Sequence, residues 1–298
     1  MLNSKKTLSA LFYGIASFMI TIVNKTILTT YGFPSFQVLG LSQMFTTIVF
    51  LFLAKKIRLV NFPNLQQNTF KKIFPLPLIY MGNVFFGLGG TKELSLPMFI
   101  ALRRVAILMT MVLEIYLLKV KPSFKVQFSV YTMVLGATVA AVNDLSFNLQ
   151  GYFFIFLNNF FSASYYVFLK RKLDSKDLGE YGLMYYNSLF MIGPTLLLAV
   201  YSGNLENAYN YQHWNNFPFL CQFLSSCTMG FFLNYSMVLC TSYNSSLTTT
   251  IIGSLKNIFI TYLGMFIAGD YIFSWSNFLG INISVVGSLT YSYVTFRK

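Results

Sequence analysis

The sequence predicts an all-α integral membrane protein with ten transmembrane helices in two inverted five-helix repeats, and three observations carry that prediction. First, the 298 residues are 55% hydrophobic and only 10% charged, too little polar material to cover a water-soluble domain of this size. Second, the apolar residues fall in runs of about 20, the length that crosses about 30 Å of hydrocarbon at 1.5 Å per residue. Third, one segment of the first half aligns with one of the second so that two buried basic positions coincide. The runs are apolar on all faces, as bundled helices are, and do not alternate as the strands of a β-barrel would.

In chain order the runs lie near 8–30, 35–54, 74–91, 97–118, 124–142, 151–170, 182–202, 218–241, 247–268 and 277–296. The first follows Lys5 and Lys6 and has no small-x-small cleavage site, so it reads as a retained span rather than a signal peptide. The runs fill most of the chain, which leaves one transmembrane domain over 1–298, with 8–142 and 151–296 as its two five-helix halves.

The net charge of +13 is a membrane signature rather than a nucleic-acid surface. Sixteen basic residues, at the N-terminus, around Lys56, Lys121 and Arg171, and at the C-terminal Arg297 and Lys298, sort to one side of the map. The other side has Lys92 with Glu93, Asp144, Glu206 and Asp270. By the positive-inside rule both termini are expected in the cytosol. Cys221, Cys227 and Cys240 form no disulfide or metal spacing and read as packing residues. His213, the single histidine, falls in a loop, which excludes a histidine metal cluster or a Ser-His-Asp triad within the bundle.

Lys25, Arg103, Arg104 and Lys256 remain, inside or at the ends of runs. An offset of 153 residues lays LSLPMFIALRRVAI (94–107) on LTTTIIGSLKNIFI (247–260) and pairs Arg103 with Lys256. Two oppositely oriented halves would bring these cations to similar depths from opposite sides, facing one central cavity. A cation at mid-membrane costs about 2.5 to 3.5 kcal/mol on insertion scales, so an anion is expected beside it. Glu114 is the one acidic residue well inside a run, but eleven residues from Arg103 is roughly 16 Å along a helix, too far to pair. The missing anion is then the ligand. Guanidinium and ammonium together favour phosphate. Arg103 and Arg104 project about 100° apart, and the repeat pairing selects Arg103. Lys25 lies near the end of its run, where it either snorkels or meets ligand. In the seventh run Tyr185, Tyr186, Asn187 and Ser188 could stack on a base and read its edge, or form an interfacial aromatic belt.

The stretches VNKTILTTYGFPSF (23–36), LSLPMFIALRR (94–104), YGLMYYNSLFMIGPTLL (181–197), YNSSLTTTIIGSLKN (243–257) and GDYIFSWSNFLGINIS (269–284) resemble the nucleotide-sugar transporters of solute carrier family 35, subfamily D. The resemblance covers nearly the whole chain. It implies the drug/metabolite transporter fold, ten helices in two inverted repeats, and exchange of a cytosolic nucleotide sugar for a lumenal nucleoside monophosphate. In such transporters a Phe-Tyr-Asn-Asn stretch on the seventh helix contacts the nucleotide, and a Gly-Ala-Leu-Asn-Lys stretch on the ninth contacts sugar and phosphates. The matching residues here are Tyr185, Tyr186, Asn187 and Ser188, then Gly253, Ser254, Leu255, Lys256 and Asn257. Ser188 replaces the second asparagine and the final pair is inverted, which departs from the GDP-mannose pattern and favours a UDP-sugar. UDP-N-acetylglucosamine is the first expectation, with UDP-glucuronate, UDP-N-acetylgalactosamine and UDP-glucose beside it.

The expected substrate-binding set is Lys256, Asn257, Gly253, Ser254, Tyr185, Tyr186, Asn187, Ser188, Arg103, Lys25 and Asn24. A transferase that consumes the same donor would need a carboxylate pair, acid or base beside it, and the sequence offers none. No enzyme activity and no cofactor are expected. The expected partners are a nucleotide sugar, a nucleoside monophosphate and the lipid bilayer, with a homodimer open and nucleic acid excluded. The resemblance places the chain in the Golgi membrane, with the ER open.

Overall fold

The computed structural model describes residues 2–93, 102–141, 149–255 and 275–296, and every regular element among them is helical. The long elements are α1 (Leu2–Lys25), α2 (Phe36–Lys56), α4 (Leu76–Glu93), α5 (Val105–Leu113) and α6 (Phe124–Ala141). They continue as α7 (Leu149–Ser175), α8 (Gly179–Tyr201), α10 (Phe217–Tyr243), α11 (Ser246–Leu255) and α12 (Trp275–Phe296). Short helices α3 (Thr69–Ile73) and α9 (Asn204–Tyr209) lie in connections. Each of the ten expected runs overlaps a described helix. Five described helices, those over Ser4–Thr30, Phe36–Lys56, Leu149–Ser175, Gly179–Tyr201 and Phe217–Tyr243, are long and apolar enough to cross a membrane.

Local chemistry sets several ends. Ser35 is extended and its Oγ accepts the Val38 N–H at 3.1 Å, capping α2, which satisfies a donor that the helix itself leaves open. Lys55 and Lys56 occupy the last turn of α2, where cations suit the helix dipole. α1 and α5 each end in a π turn, Thr26–Thr30 and Glu114–Leu118. The second stops at Lys119 in the left-handed region (φ 57°).

By packing, the described chain forms two compact units, each drawing on both halves of the sequence. One contains residues 1–10, 78–171 and 243–298. Its core gathers Ile107, Met111, Val130, Met133, Leu247, Ile251 and Tyr291 from α5, α6, α11 and α12. α6 and α12 approach through glycines: a Cβ on Gly136 would lie 2.5 Å from the Gly280 carbonyl oxygen, and Ser284 Oγ donates to the Met133 carbonyl at 2.7 Å. Small residues and cross-helix hydrogen bonds are what bind helices where lipid gives no hydrophobic drive.

The other unit contains residues 11–77 and 172–242. Its core holds Ile27, Phe33, Leu39, Ala208, Phe219, Phe223 and Cys227, with Tyr211 and Trp214 packed against them. Phe33 meets Tyr211, Trp214, Phe219 and Phe223 at ring-centroid distances of 5.2 to 5.8 Å. Trp214 Nε1 donates to the Ala208 carbonyl at 2.8 Å. Cys227 and Cys240 are buried, as packing residues should be, whereas Cys221 is exposed. His213 is exposed.

Candidate substrate site

In the first unit, Arg103 and Arg104 occupy the turn that leads into α5. Asn159 of α7 fixes that turn, its Nδ2 donating to the Leu102 carbonyl at 2.9 Å. The neighbouring Asn158 donates to the carbonyl and the Oδ1 of Asn83 on α4, each at 2.7 Å, and Ser162 donates to the same Oδ1. Arg104 is buried and Arg103 half-buried, so burial singles out the neighbour of the arginine that the repeat pairing selects.

α11 carries Gly253 and Ser254, both half-buried, with Ser254 Oγ donating to the Ile251 carbonyl at 2.8 Å. Lys256 and Asn257 lie outside the described residues, as does the stretch 94–101 that aligns with the start of α11. The first turn of α11 is held on three sides. Ser245 Oγ accepts the Thr248 N–H at 3.1 Å, and Thr248 Oγ1 shares a hydrogen bond of 2.7 Å with the Tyr291 hydroxyl of α12. Glu114, 3% exposed, accepts the Leu247 N–H at 3.0 Å through Oε1. One turn further, Thr110 and Thr250 hydroxyls meet at 3.3 Å.

Glu114 therefore has a partner that the sequence did not reveal. Its carboxylate caps another helix, where negative charge is favoured. The available signal was an acidic residue at one helix end together with the N-cap serine pair in YNSSLTTT.

In the second unit, Asn24 is half-buried and Lys25 exposed at the end of α1. Asn24 Oδ1 accepts from Ser226 Oγ at 2.6 Å and from Gln43 Nε2 at 3.3 Å, while Gln43 Nε2 also reaches Ser226 Oγ at 2.9 Å. This triad joins α1, α2 and α10. The seventh-run motif sits in the second turn of α8. Tyr186 is buried and donates its hydroxyl to the Pro63 carbonyl at 2.7 Å, and Ser188 is buried too. Tyr185 and Asn187 are half-buried. Tyr185 stacks at a tilt on Phe62, centroids 5.1 Å apart. Tyr186 is thus a packing residue in this structure, which leaves Tyr185 as the ring with accessible surface.

Polar and charged groups built into helices long and apolar enough to cross a membrane define a multi-pass helical membrane protein. The Triose-phosphate Transporter family matches residues 6–292, and the chain belongs to that family, among nucleotide-sugar transporters of the SLC35D type. UDP-sugar transporter UST74c of Drosophila melanogaster is 61% identical over 294 residues, 99% of this chain and 79% of that protein. UDP-sugar transporter sqv-7 of Caenorhabditis elegans is 53% identical over 98% of this chain and 90% of its own length. Nucleotide sugar transporter SLC35D2 of Homo sapiens is 49% identical over 98% of this chain and 87% of its own. A solved crystal structure, 12% identical, superposes with a TM-score of 0.68 over 99% of this chain and 98% of that one, which speaks for the fold alone. The chain is a transporter and not an enzyme.

Proposed function

We propose that this chain carries a UDP-sugar, UDP-N-acetylglucosamine first, from the cytosol into the Golgi lumen and returns UMP. The supporting observation is its 61% and 53% identity, over nearly its whole length, to proteins named as UDP-sugar transporters. Ten spans in two inverted five-span halves, with both termini cytosolic, belong to the same proposal. Lys256 and Arg103 take the phosphates, as the pair that the 153-residue offset aligns and whose ammonium and guanidinium suit phosphate. Tyr185 meets the base and Asn187 reads its edge. Asn257, Gly253, Ser254, Asn24 and Lys25 complete the polar surroundings of the ligand. An empty carrier reorients slowly, whereas either phosphate ligand favours the transition, and this produces exchange rather than leak.

The test is counterflow of labelled UDP-N-acetylglucosamine into UMP-loaded proteoliposomes, normalised to protein amount. Lys256→Ala should abolish exchange while the protein still reaches its membrane, and Lys256→Arg should be impaired because a fork does not replace a point charge. Near-normal rates for Lys256→Ala would remove the lysine from the site. Stronger competition by GMP than by UMP would replace the UDP-sugar with a GDP-sugar. A glycan acceptor placed beside Glu206 should be used and one beside Lys56 should not; the reverse pattern would invert the orientation.

A further inference from the structure

The connection between α2 and α3 is mostly exposed, as connections usually are, yet Phe62 in its middle is only 5% exposed. Three tethers hold the segment around that ring. Lys55 Nζ lies 4.2 Å from the centroid of Phe62 and donates to Asn64 Oδ1 at 2.7 Å, so one ammonium grips residues on both sides of Pro63 by a cation–π contact and a charged hydrogen bond. Tyr186 donates its hydroxyl to the Pro63 carbonyl. The ring of Phe62 packs at a 36° tilt on Tyr185 and edge-on, at 90°, to Tyr186.

The helix beneath is shaped to receive this strap. A Cβ on Gly182 would meet the Phe62 Cβ at 3.3 Å and the Leu178 Cβ at 3.2 Å. The glycine at the head of GLMYYNS thus admits the strap onto the first turn of α8, just before Tyr185. Such a set of contacts is more than a connection of twelve residues needs to join two helices.

We infer that the strap over residues 57–68 is part of the nucleotide end of the site, with Phe62 as a positioning residue that holds the ring of Tyr185 for the base. The inference rests on the reading that Tyr185 meets the base. A ring already fixed by its neighbour loses little freedom when a base stacks on it, so the effect of Phe62 falls on affinity rather than on turnover. Lys55 acts one step further out, by holding Phe62.

Counterflow measured over a range of UMP concentrations separates the roles. Phe62→Ala should raise the half-saturating UMP concentration by about three- to tenfold, a change of the size that fixing one ring contributes, with the maximal rate per protein little changed. Phe62→Tyr should restore it. Lys55→Met, which keeps the stem and loses the charge, should shift it in the same direction by less. If Tyr185→Ala raises the half-saturating concentration and both Phe62→Ala and Lys55→Met leave it unchanged, the strap has no part in recognition while the base reading stands. If none of the three changes it, the base reading fails and the strap inference with it. A fall in maximal rate alone for Phe62→Ala, with no rescue by Phe62→Tyr, would reduce the strap to a folding element. Should Phe62→Ala not reach the membrane, Lys55→Met decides between the same outcomes.

Discussion

The unit containing α11 and the unit containing α8 are held together by different chemistry. In the first, hydrogen bonds and glycine seams join distant segments beside an apolar core and the stacked rings of Phe86 and Phe161: Glu114 to Leu247, Thr248 to Tyr291, Ser284 to Met133, and Gly136 against Gly280. In the second, a cluster of rings around Phe33 gathers largely from connections and helix ends, among them Tyr211, Trp214 and Phe219. Lipid tails are as apolar as leucine, so apolar burial does little to join helices within the bilayer, and short polar bonds and close backbones must do it. Where the chain leaves the hydrocarbon, water returns and ring burial becomes effective again. The exception is instructive. At helix depth the second unit also uses a polar contact, the triad of Asn24, Gln43 and Ser226.

Substitutions can break or sharpen this contrast. The largest effect is expected at Phe33, where truncation to alanine leaves a cavity among four rings and should cost about 3 to 5 kcal/mol. Thermal unfolding in detergent measures it, and a loss no greater than that from a polar substitution in the other unit would end the contrast. Next comes Gly136→Ala, whose Cβ would meet the carbonyl of Gly280 and the amide nitrogen of Ser284 at 2.5 and 2.6 Å. Backbone cannot rotate away as a side chain can, so about 1 to 3 kcal/mol is expected. An unchanged melting temperature would show that the α6–α12 seam is loose. The smallest effect distinguishes charge from geometry at Glu114. Alanine removes the acceptor of the Leu247 N–H and should cost about 1 to 3 kcal/mol. Glutamine keeps an acceptor and should lose only the dipole contribution, about 0.3 to 1 kcal/mol. Equal losses for the two would mean that the charge, not the bond, pins α11.

The sequence revealed the helices but not their cross-links. Apolar runs measure the thickness of lipid, whereas helices end where hydrogen bonding does, so α1 begins at Leu2 instead of near residue 8 and α7 continues past residue 170 to Ser175. The earlier start of α8 at Gly179 moves Tyr185 from the first turn, where the run near 182–202 places it, to the second. Fold class and family could be read because composition and long ordered motifs are local properties of the chain. The capping of α11 by Glu114 joins residues 133 apart in sequence, and the local signals, an acidic residue near a helix end and the serine pair of YNSSLTTT, do not pair the two. Phe62 is equally hidden, one aromatic among 33 phenylalanines, identifiable only once Gly182 and Tyr186 are seen beneath it. The paired asparagines of α7 read as polar residues in an apolar run, and their partner Asn83 supplies the meaning.

The two π turns set where the chain leaves α1 and α5. A π turn takes in one residue more than an α turn, with the bond from the Tyr31 amide to the Thr26 carbonyl at 3.1 Å spanning the excess in α1. Because each turn is the last of its helix, the extra residue moves the exit of the chain by about 100° around the helix axis. Thr26 and Thr29 bind their widened backbone by donating to the carbonyls of Ile22 and Lys25. At Thr26–Thr30 and at Glu114–Leu118 the connection to the next helix therefore departs from a side of the helix that a count at 3.6 residues per turn does not give.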